Sequence, residues 1–338
     1  MHGSHDMKSG SSQAEATVIV TGRNVQNTLR ACLSSILRLK FSGRLHVIYV
    51  DGGSTDHSVQ IAGTFGNVEI LAEQAGRPAG GRNAGLGKAR GEVCAFTDAD
   101  CRVSSQWLER ACARLQDPRI GGVGGPLLPI ALNSLESKLV YFAYSSPLGS
   151  GGSIQAAVYE NIRDARSLSL GNAVFRRDLL MRLGGFDKSL RFCEDYDLSA
   201  RIRAAGQRTV YDPALVVFHE YDKTIHSFMK RMFRYGRGRS DAMRKRKTTV
   251  FLPSVIGVLG VCFFLVLLLL TATGWVPVTV PTGTLLFYFT CIAIQSLTIS
   301  LRRRDPMLLL VAVPLALGHA SYALGMFAGL LFPYRSRH

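Results

Sequence analysis

Apolar positions along this chain fall into two regimes. Up to about Tyr221 they form short runs separated by helical patterns and polar turns, and beyond Phe251 they form long, almost unbroken stretches. Ala16 to Thr21 (ATVIVT) is a β-branched run of buried-strand type, followed by a turn containing Asn24 and by apolar residues at helical spacing from Leu29 through Leu33, Ile36 and Leu37. LHVIYV and VEIL are a second and third strand, with a helix near Ser58 to Phe65 between them. After a glycine-rich stretch, GRNAGLGKARGE is predicted as a helix leading into the strand VCAFT. Strands alternating with helices imply right-handed crossovers and a largely parallel sheet, an α/β architecture. WLERACARL follows as an amphipathic helix, and GGVGGPLLP as one strand whose glycines allow close backbone approach. Weak periodicity from Leu148 to Ser169 fits a flexible loop beside the site or any other surface excursion, and in the strand and loop residues YDPALVVFHEY His219 stands at a strand end.

Beyond the basic run Lys230 to Lys247, the segments 251–273, 282–301 and 307–332 each reach the length of about 20 apolar residues that a bilayer-spanning helix needs. The excess of Lys and Arg in cytoplasmic loops would put both the basic run and the triplet Arg302 to Arg304 in the cytoplasm. Three spans satisfy both and leave the carboxyl terminus outside. His319, within the third span, is predicted to make a helix-to-helix hydrogen bond. The expected organisation is a disordered tail or tag at 1–13, a catalytic domain at 14–221, a basic amphipathic membrane-interface segment at 222–249 and a transmembrane domain at 250–333. The opening MHGSHDMKSGSSQ lacks the apolar core of a signal peptide.

Composition sharpens this picture. Hydrophobic residues make up 47% of the 338 positions, which fits a membrane part. The formal charge of +16 admits nucleic acid, anionic lipid or phosphorylated substrates. No nucleic-acid-binding motif is present and the basic run abuts a spanning segment, so nucleic acid is set aside. Seven scattered cysteines form neither CxxC pairs nor a disulfide framework, as suits a cytoplasmic catalytic domain.

In FTDADC, Asp98 and Asp100 sit two apart after a strand, so both carboxylates face one way. Such a pair suits Mg²⁺ or Mn²⁺ together with water and a substrate diphosphate, or else a polar turn with a helix cap. Asp51 ends its own strand in the same way, and ligands of such sheets lie beyond the carboxyl ends of the strands. Arg82 and Asn83 stand at the start of a predicted helix, where free amides and the dipole favour an anion.

Taken together, VDGGSTD at Val50 to Asp56, GRNAG at Gly81 to Gly85, FTDAD at Phe96 to Asp100, and GNAVFRRDLLMRLGGFDKSLRFCEDYDLSARIRAAG from Gly171 resemble glycosyltransferase family 2. The nearest likeness is to its membrane-anchored branch that builds exopolysaccharides such as succinoglycan and lipid-linked glycans, on a reduced cellulose-synthase-like plan. The resemblance implies a GT-A (Rossmann-like) nucleotide-sugar-binding domain followed by transmembrane helices. It implies Asp51 at the base or ribose, with Arg82 and Asn83 beside the nucleotide. Asp98 and Asp100 would hold a Mg or Mn ion and the sugar nucleotide, with His219 completing the metal shell. Asp195 would be the catalytic base, with Glu194 as its orienting partner. Asp56 is expected to form an Asx turn that caps a helix, and Asp197 to decorate a helix N-terminus, where the dipole favours acids. Gly52 departs from the second Asp usual in the family. FRYG resembles the QxxRW motif of processive enzymes, with Arg231 in place of Gln and Tyr235 in place of Trp, while Arg234 could still reach the diphosphate. The implied activity is inverting transfer of a hexose (mannose, glucose or galactose) from a GDP- or UDP-linked donor to a membrane-embedded polyprenyl-linked acceptor. A processive polysaccharide synthase and a non-catalytic nucleotide-sugar-binding membrane protein are the alternatives.

Overall fold

A computed structural model describes residues 15–73, 77–151, 158–221, 224–245 and 252–332. The chain opens with β1 (Glu15–Gly22), α1 (Leu29–Leu37), β2 (Arg44–Asp51), α2 (Ser58–Gly63), β3 (Val68–Ala72), α3 (Pro78–Lys88) and β4 (Val93–Asp98). It continues through β5 (Cys101–Val103), α4 (Trp107–Arg114), β6 (Ile120–Gly124), β7 (Leu127–Pro129), α5 (Leu135–Ser145), α6 (Pro147–Ser150), β8 (Arg163–Asp164) and β9 (Ala173–Arg176). Then come α7 (Arg177–Arg182), α8 (Glu194–Ala204), β10 (Arg208–Tyr211), β11 (Val217–His219), α9 (Ile225–Lys245), α10 (Leu252–Ala272), α11 (Thr279–Arg303), a 3-10 turn at Pro306–Val311 and α12 (Ala312–Leu331). The expected tail at 1–13, part of the predicted loop at 152–157 and the end of the membrane-interface segment at 246–249 lie outside the described residues.

The large sheet has the order β3-β2-β1-β4-β9-β6-β10-β8. Val18, Ile19 and Val20 of β1 are fully buried, because a strand covered by helices on both faces needs apolar side chains at successive positions. One layer packs Leu29, Leu33 and Ile36 of α1 with Trp107 and Leu108 of α4. The other packs Leu86 of α3, Leu179 and Leu180 of α7, and Leu198 and Ile202 of α8. The parallel run predicted from the sequence holds for β3-β2-β1-β4 and for β6-β10. It is interrupted by β9, antiparallel to both β4 and β6. A four-residue apolar run carries no information about its direction, so this reversal was not legible.

Two other predicted elements shift. GGVGGPLLP is not one strand: β6 joins the large sheet, whereas β7 joins a small sheet of order β5-β11-β7. Buried Asn172 pins the break, donating from Nδ2 to the carbonyls of Pro126 (3.0 Å) and Leu215 (2.7 Å) while its Oδ1 accepts from Trp107 Nε1 (2.8 Å). The helix over GRNAG begins earlier, at Pro78, where the missing N–H has no cost in the first turn. The unforeseen α5 starts at a capping box between Ser134 and Ser137.

Three helical stretches among the described residues are long and apolar enough to cross a membrane: Val255–Ala272, Thr279–Arg303 and Pro306–Leu331. The third is not α-helical throughout, since Asp305 caps a 3-10 turn before α12. A third apolar cluster joins Leu139 and Ala143 of α5 to Ile292, Leu308, Val311 and Leu315, and the Arg303 guanidinium stacks 5.2 Å from the Phe142 ring. The carboxyl-terminal helices are therefore docked on the sheet domain.

Candidate active site

Asp98 ends β4, and Asp100 lies in the turn to β5. What brings His219 to them is the small sheet, in which β11 pairs antiparallel with β5 so that His219 lies opposite Cys101. His219 Nε2 stands 3.5 Å from Asp100 Oδ2. Burial alone would raise the Asp100 carboxyl, but the hydrogen bond and charge of His219 outweigh it and hold it below the usual carboxylate range. One ligand atom each of Asp100, Cys101 and His219 lie within 4.8 Å of one another. Burial beside two carboxylates pushes the Cys101 thiol far up, and a soft sulfur ligand is not what Mg²⁺ or Mn²⁺ selects. Carboxylates of Asp98 and Asp100 with the imidazole of His219 line one cavity, a donor set that fits Mn²⁺ or Mg²⁺.

Arg82 does not stand at a helix start. It lies within α3, one turn past Pro78, so the dipole argument for an anion there fails. Its guanidinium is buried and bridges two carboxylates, donating from Nη2 to Asp98 Oδ1 at 2.9 Å and from Nη1 to Glu194 Oε1 at 2.6 Å. Burial alone would lower its pKa, but these carboxylates more than offset that and keep it charged. Glu194 and Asp195 open α8 directly after Cys193, whose φ of 66° is left-handed. Burial raises the Glu194 carboxyl, opposed chiefly by Arg82. It also raises the Asp195 carboxyl, opposed chiefly by the charge of Arg239.

Three predicted polar residues are engaged with backbone. Asp51 Oδ2 accepts from the amides of Gly53 (3.0 Å) and Ser54 (2.9 Å), while Oδ1 accepts from the Tyr49 hydroxyl (3.1 Å). It shapes the loop after β2 as an Asx turn does. Asp56 likewise accepts from the amides of Ser58 and Gln26. Asn83 clamps Phe186, donating to its carbonyl (2.7 Å) and accepting from its amide (2.8 Å). The clamp needs glycine at position 185, where φ is +68° and a Cβ would fall 2.4 Å from Asn83 Oδ1. Asp197 is fully buried against Arg201, whose guanidinium also holds the carbonyls of Leu183 and Gly185. Asn83 thus faces this loop, and neither Asn83 nor Asp51 lines a described cavity.

Two cavities meet at this centre. The first, of about 540 Å³, is polar and runs from the loop Asn24–Thr28 to Asp98, Asp100 and His219. The second, of about 1350 Å³, is mostly apolar and extends from Glu194 and Asp195 between α10, α11 and α12. Asp98, Tyr144, Ser169, Arg231 and Tyr235 line both. Arg234 lines only the second, so Arg231, one turn earlier, is the basic side chain at the junction, with its guanidinium 4.6 Å from the Tyr144 ring. Tyr144 and Ser169 carried no sequence signal, since isolated hydroxyl residues in weakly patterned segments match no motif. Arg231 and Tyr235 were visible only as departures from one.

Residues 17–184 match the family model described as Glycosyl transferase family 2. A "Pre-mycofactocin glycosyltransferase" of Mycobacterium tuberculosis is 28% identical over 232 residues, covering 68% of this chain and 47% of that protein. This chain thus spans about half the length of that relative. The "Dolichyl N-acetyl-alpha-D-glucosaminyl phosphate 3-beta-D-2,3-diacetamido-2,3-dideoxy-beta-D-glucuronosyltransferase" of Methanococcus voltae is 20% identical over 336 residues, 93% of this chain and 97% of that one. Among solved structures, a mannosyltransferase from Pyrobaculum calidifontis in complex with GDP-Man and Mn²⁺ superposes with a TM-score of 0.63 at 19% identity, covering 96% of this chain and 89% of the other. That likeness shows the fold, a GT-A domain with carboxyl-terminal helices.

Proposed function

Because residues 17–184 belong to glycosyl transferase family 2, we propose that the protein is a metal-dependent, inverting hexosyltransferase of the membrane. It moves a hexose (mannose, glucose or galactose) from a GDP- or UDP-linked donor to a polyprenyl-linked acceptor. The observation that carries this reading is the junction of the two cavities at Asp98, Tyr144, Ser169, Arg231 and Tyr235. A water-soluble nucleotide sugar fits the polar cavity, and an acceptor that stays in the bilayer fits an apolar cavity walled by α10–α12. The relative named for a dolichyl-linked substrate and the neighbour solved with GDP-Man and Mn²⁺ support the same pairing. The excess of arginines at Arg302–Arg304, beside Phe142 of the sheet domain, favours a cell-membrane protein with its catalytic domain on the cytoplasmic side.

Asp98, Asp100 and His219 would hold the Mg²⁺ or Mn²⁺, which supplies positive charge for the departing nucleoside diphosphate. Arg231, held over Tyr144 at the junction, adds a second cation on the donor side. Arg82 neutralises Asp98 on its inner side and ties Glu194 to it, so the start of α8 is fixed relative to the metal ligands. Asp195, raised by burial, is suited to take a proton from an acceptor hydroxyl as that oxygen attacks the anomeric carbon. One base and one displacement give inversion. A phosphate acceptor is already ionised at neutral pH and needs no base, so dependence on Asp195 separates a polyprenyl-linked saccharide from a polyprenyl phosphate.

The test is transfer of labelled sugar by the full chain with Mn²⁺, using GDP- and UDP-hexoses against polyprenyl phosphate and polyprenyl-linked saccharides. Label is expected in the organic phase as a product one sugar longer. Donor binding without any transfer would favour the non-catalytic reading, and a long polymer would favour the processive one.

A further inference from the structure

The apolar length of Pro306–Leu331 suggests a third span, but its packing does not. On one side, α9 lies against the catalytic domain along its whole length. Arg231 stacks on Tyr144, the Arg239 guanidinium is 4.1 Å from the Tyr196 ring, a Cβ on Gly238 would fall 2.4 Å from Phe192 Cβ, and Lys245 donates to Ser189 Oγ. On its other side α9 lies against α12, close enough for backbone contact. A Cβ on Gly236 would fall 2.1 Å from the Tyr322 carbonyl oxygen, and one on Gly325 would fall 2.1 Å from that of Phe233. Ser240 Oγ donates to the Met326 carbonyl at 2.8 Å, Arg237 to that of Phe332 at 3.0 Å, and Arg244 to that of Gly329. The partners climb together, from Phe228 at Gly318 through Phe233 at Gly325 to Arg237 at Gly329, so the two helices run parallel side by side.

This arrangement ties the depth of α12 to that of α9. The cations of α9 extend from Lys230 to Lys245, about 22 Å of helix at 1.5 Å per residue, whereas the hydrocarbon core is about 30 Å thick. A helix carrying cations along that whole length cannot follow α12 through hydrocarbon, where ionised side chains are strongly disfavoured. The face of α12 turned away from α9 is nevertheless apolar: Val313, Leu317, Leu324 and Leu331 are exposed and share one stripe. A helix with one face on protein and the other apolar suits the boundary between headgroups and acyl chains. By contrast, only 6% of the spanning window of α10 is buried, against 33% for the third stretch.

We propose that α12 does not cross the bilayer but lies in the interface on the catalytic side, with its apolar stripe in lipid and its small-residue face on α9. The chain then crosses twice, through α10 and α11, and α12 ends at Leu331 on the side of the catalytic domain, not the opposite side expected from three spans. The proposal rests on the membrane reading above, through the crossing of α10 and α11.

The test uses the full chain carrying a side-specific reporter, fused at the amino terminus, inserted beside exposed Trp275 in the loop from α10 to α11, or fused after His338. The amino- and carboxyl-terminal reporters should report the same side and the Trp275 insertion the opposite one. A carboxyl-terminal reporter on the Trp275 side would overturn the proposal while leaving the membrane reading intact. A Trp275 reporter on the same side as the amino terminus would overturn both. A spin label at Leu324→Cys should also sit shallower in the bilayer than one at Phe263→Cys of α10, and an equal or greater depth would overturn the proposal independently of the fusions.

Discussion

Replacing Arg82 by methionine separates what the structure assigns to this residue from what its motif suggested. The substitution keeps the apolar stem but removes a guanidinium that bridges Asp98 and Glu194. Removing one partner of a buried ion pair typically costs about 3–5 kcal/mol, because the other charge is left uncompensated. Here the two contacts are unequal. The Glu194 side chain is 12% exposed, so its share approaches the buried range, whereas Asp98 is 36% exposed and its share is reduced by solvent to the ~0–1 kcal/mol of surface pairs. The expected loss is about 3 kcal/mol, with most of it at Glu194. It should depend on pH. Burial already raises the Glu194 carboxyl against the opposing charge of Arg82, and without Arg82 it rises further. A carboxyl raised above its unfolded value is penalised only where it must ionise, so the deficit relative to wild type should be smaller near pH 5 and grow as pH rises toward 8. Thermal unfolding of the purified protein across that range measures both. Donor binding with Mn²⁺ should survive at the temperature of assay, because Asp98 keeps its carboxylate. Unchanged unfolding together with more than tenfold weaker nucleotide binding would refute the bridging role and return Arg82 to the nucleotide.

Asp98→Ala and Asp100→Ala should each abolish metal-dependent donor binding, and His219→Ala should weaken Mn²⁺ affinity; full transfer activity in EDTA would contradict all three. Asp195→Asn should lower the transfer rate to a hydroxyl acceptor by roughly 10² while donor affinity changes only a few-fold. Loss of donor binding in that variant would make Asp195 a ligand instead of a base. Gly325→Leu drives a side chain into the Phe233 carbonyl and should separate α12 from α9 and lower the unfolding temperature by several degrees, whereas Gly257→Leu on α10, with nothing within 4 Å, should not. Equal behaviour of the two glycine variants would mean that α9 and α12 are not packed as described.

Much of this protein was legible in short windows of sequence. The bounds of α1, the order of β1 to β4, the DAD turn, the acids that open α8 and the apolar stretches each rest on periodicity or residue type within a few positions. Local patterns could not give partners. His219 reaches the metal-side carboxylates because β11 pairs with β5 across more than a hundred residues, and nothing in VVFHEY states that pairing. Arg82 and Glu194 are 112 positions apart, and only the meeting of α3 with the start of α8 turns an arginine inside α3 into a buried bridge. The same limit governs the membrane part. Hydropathy reports that a side chain leaves water without saying whether lipid or protein receives it, so α10 and α12 both meet the length and composition of a span. The difference between them lies in the glycine faces that bring α12 onto the cationic helix α9, a contact that exists only once the chain has folded.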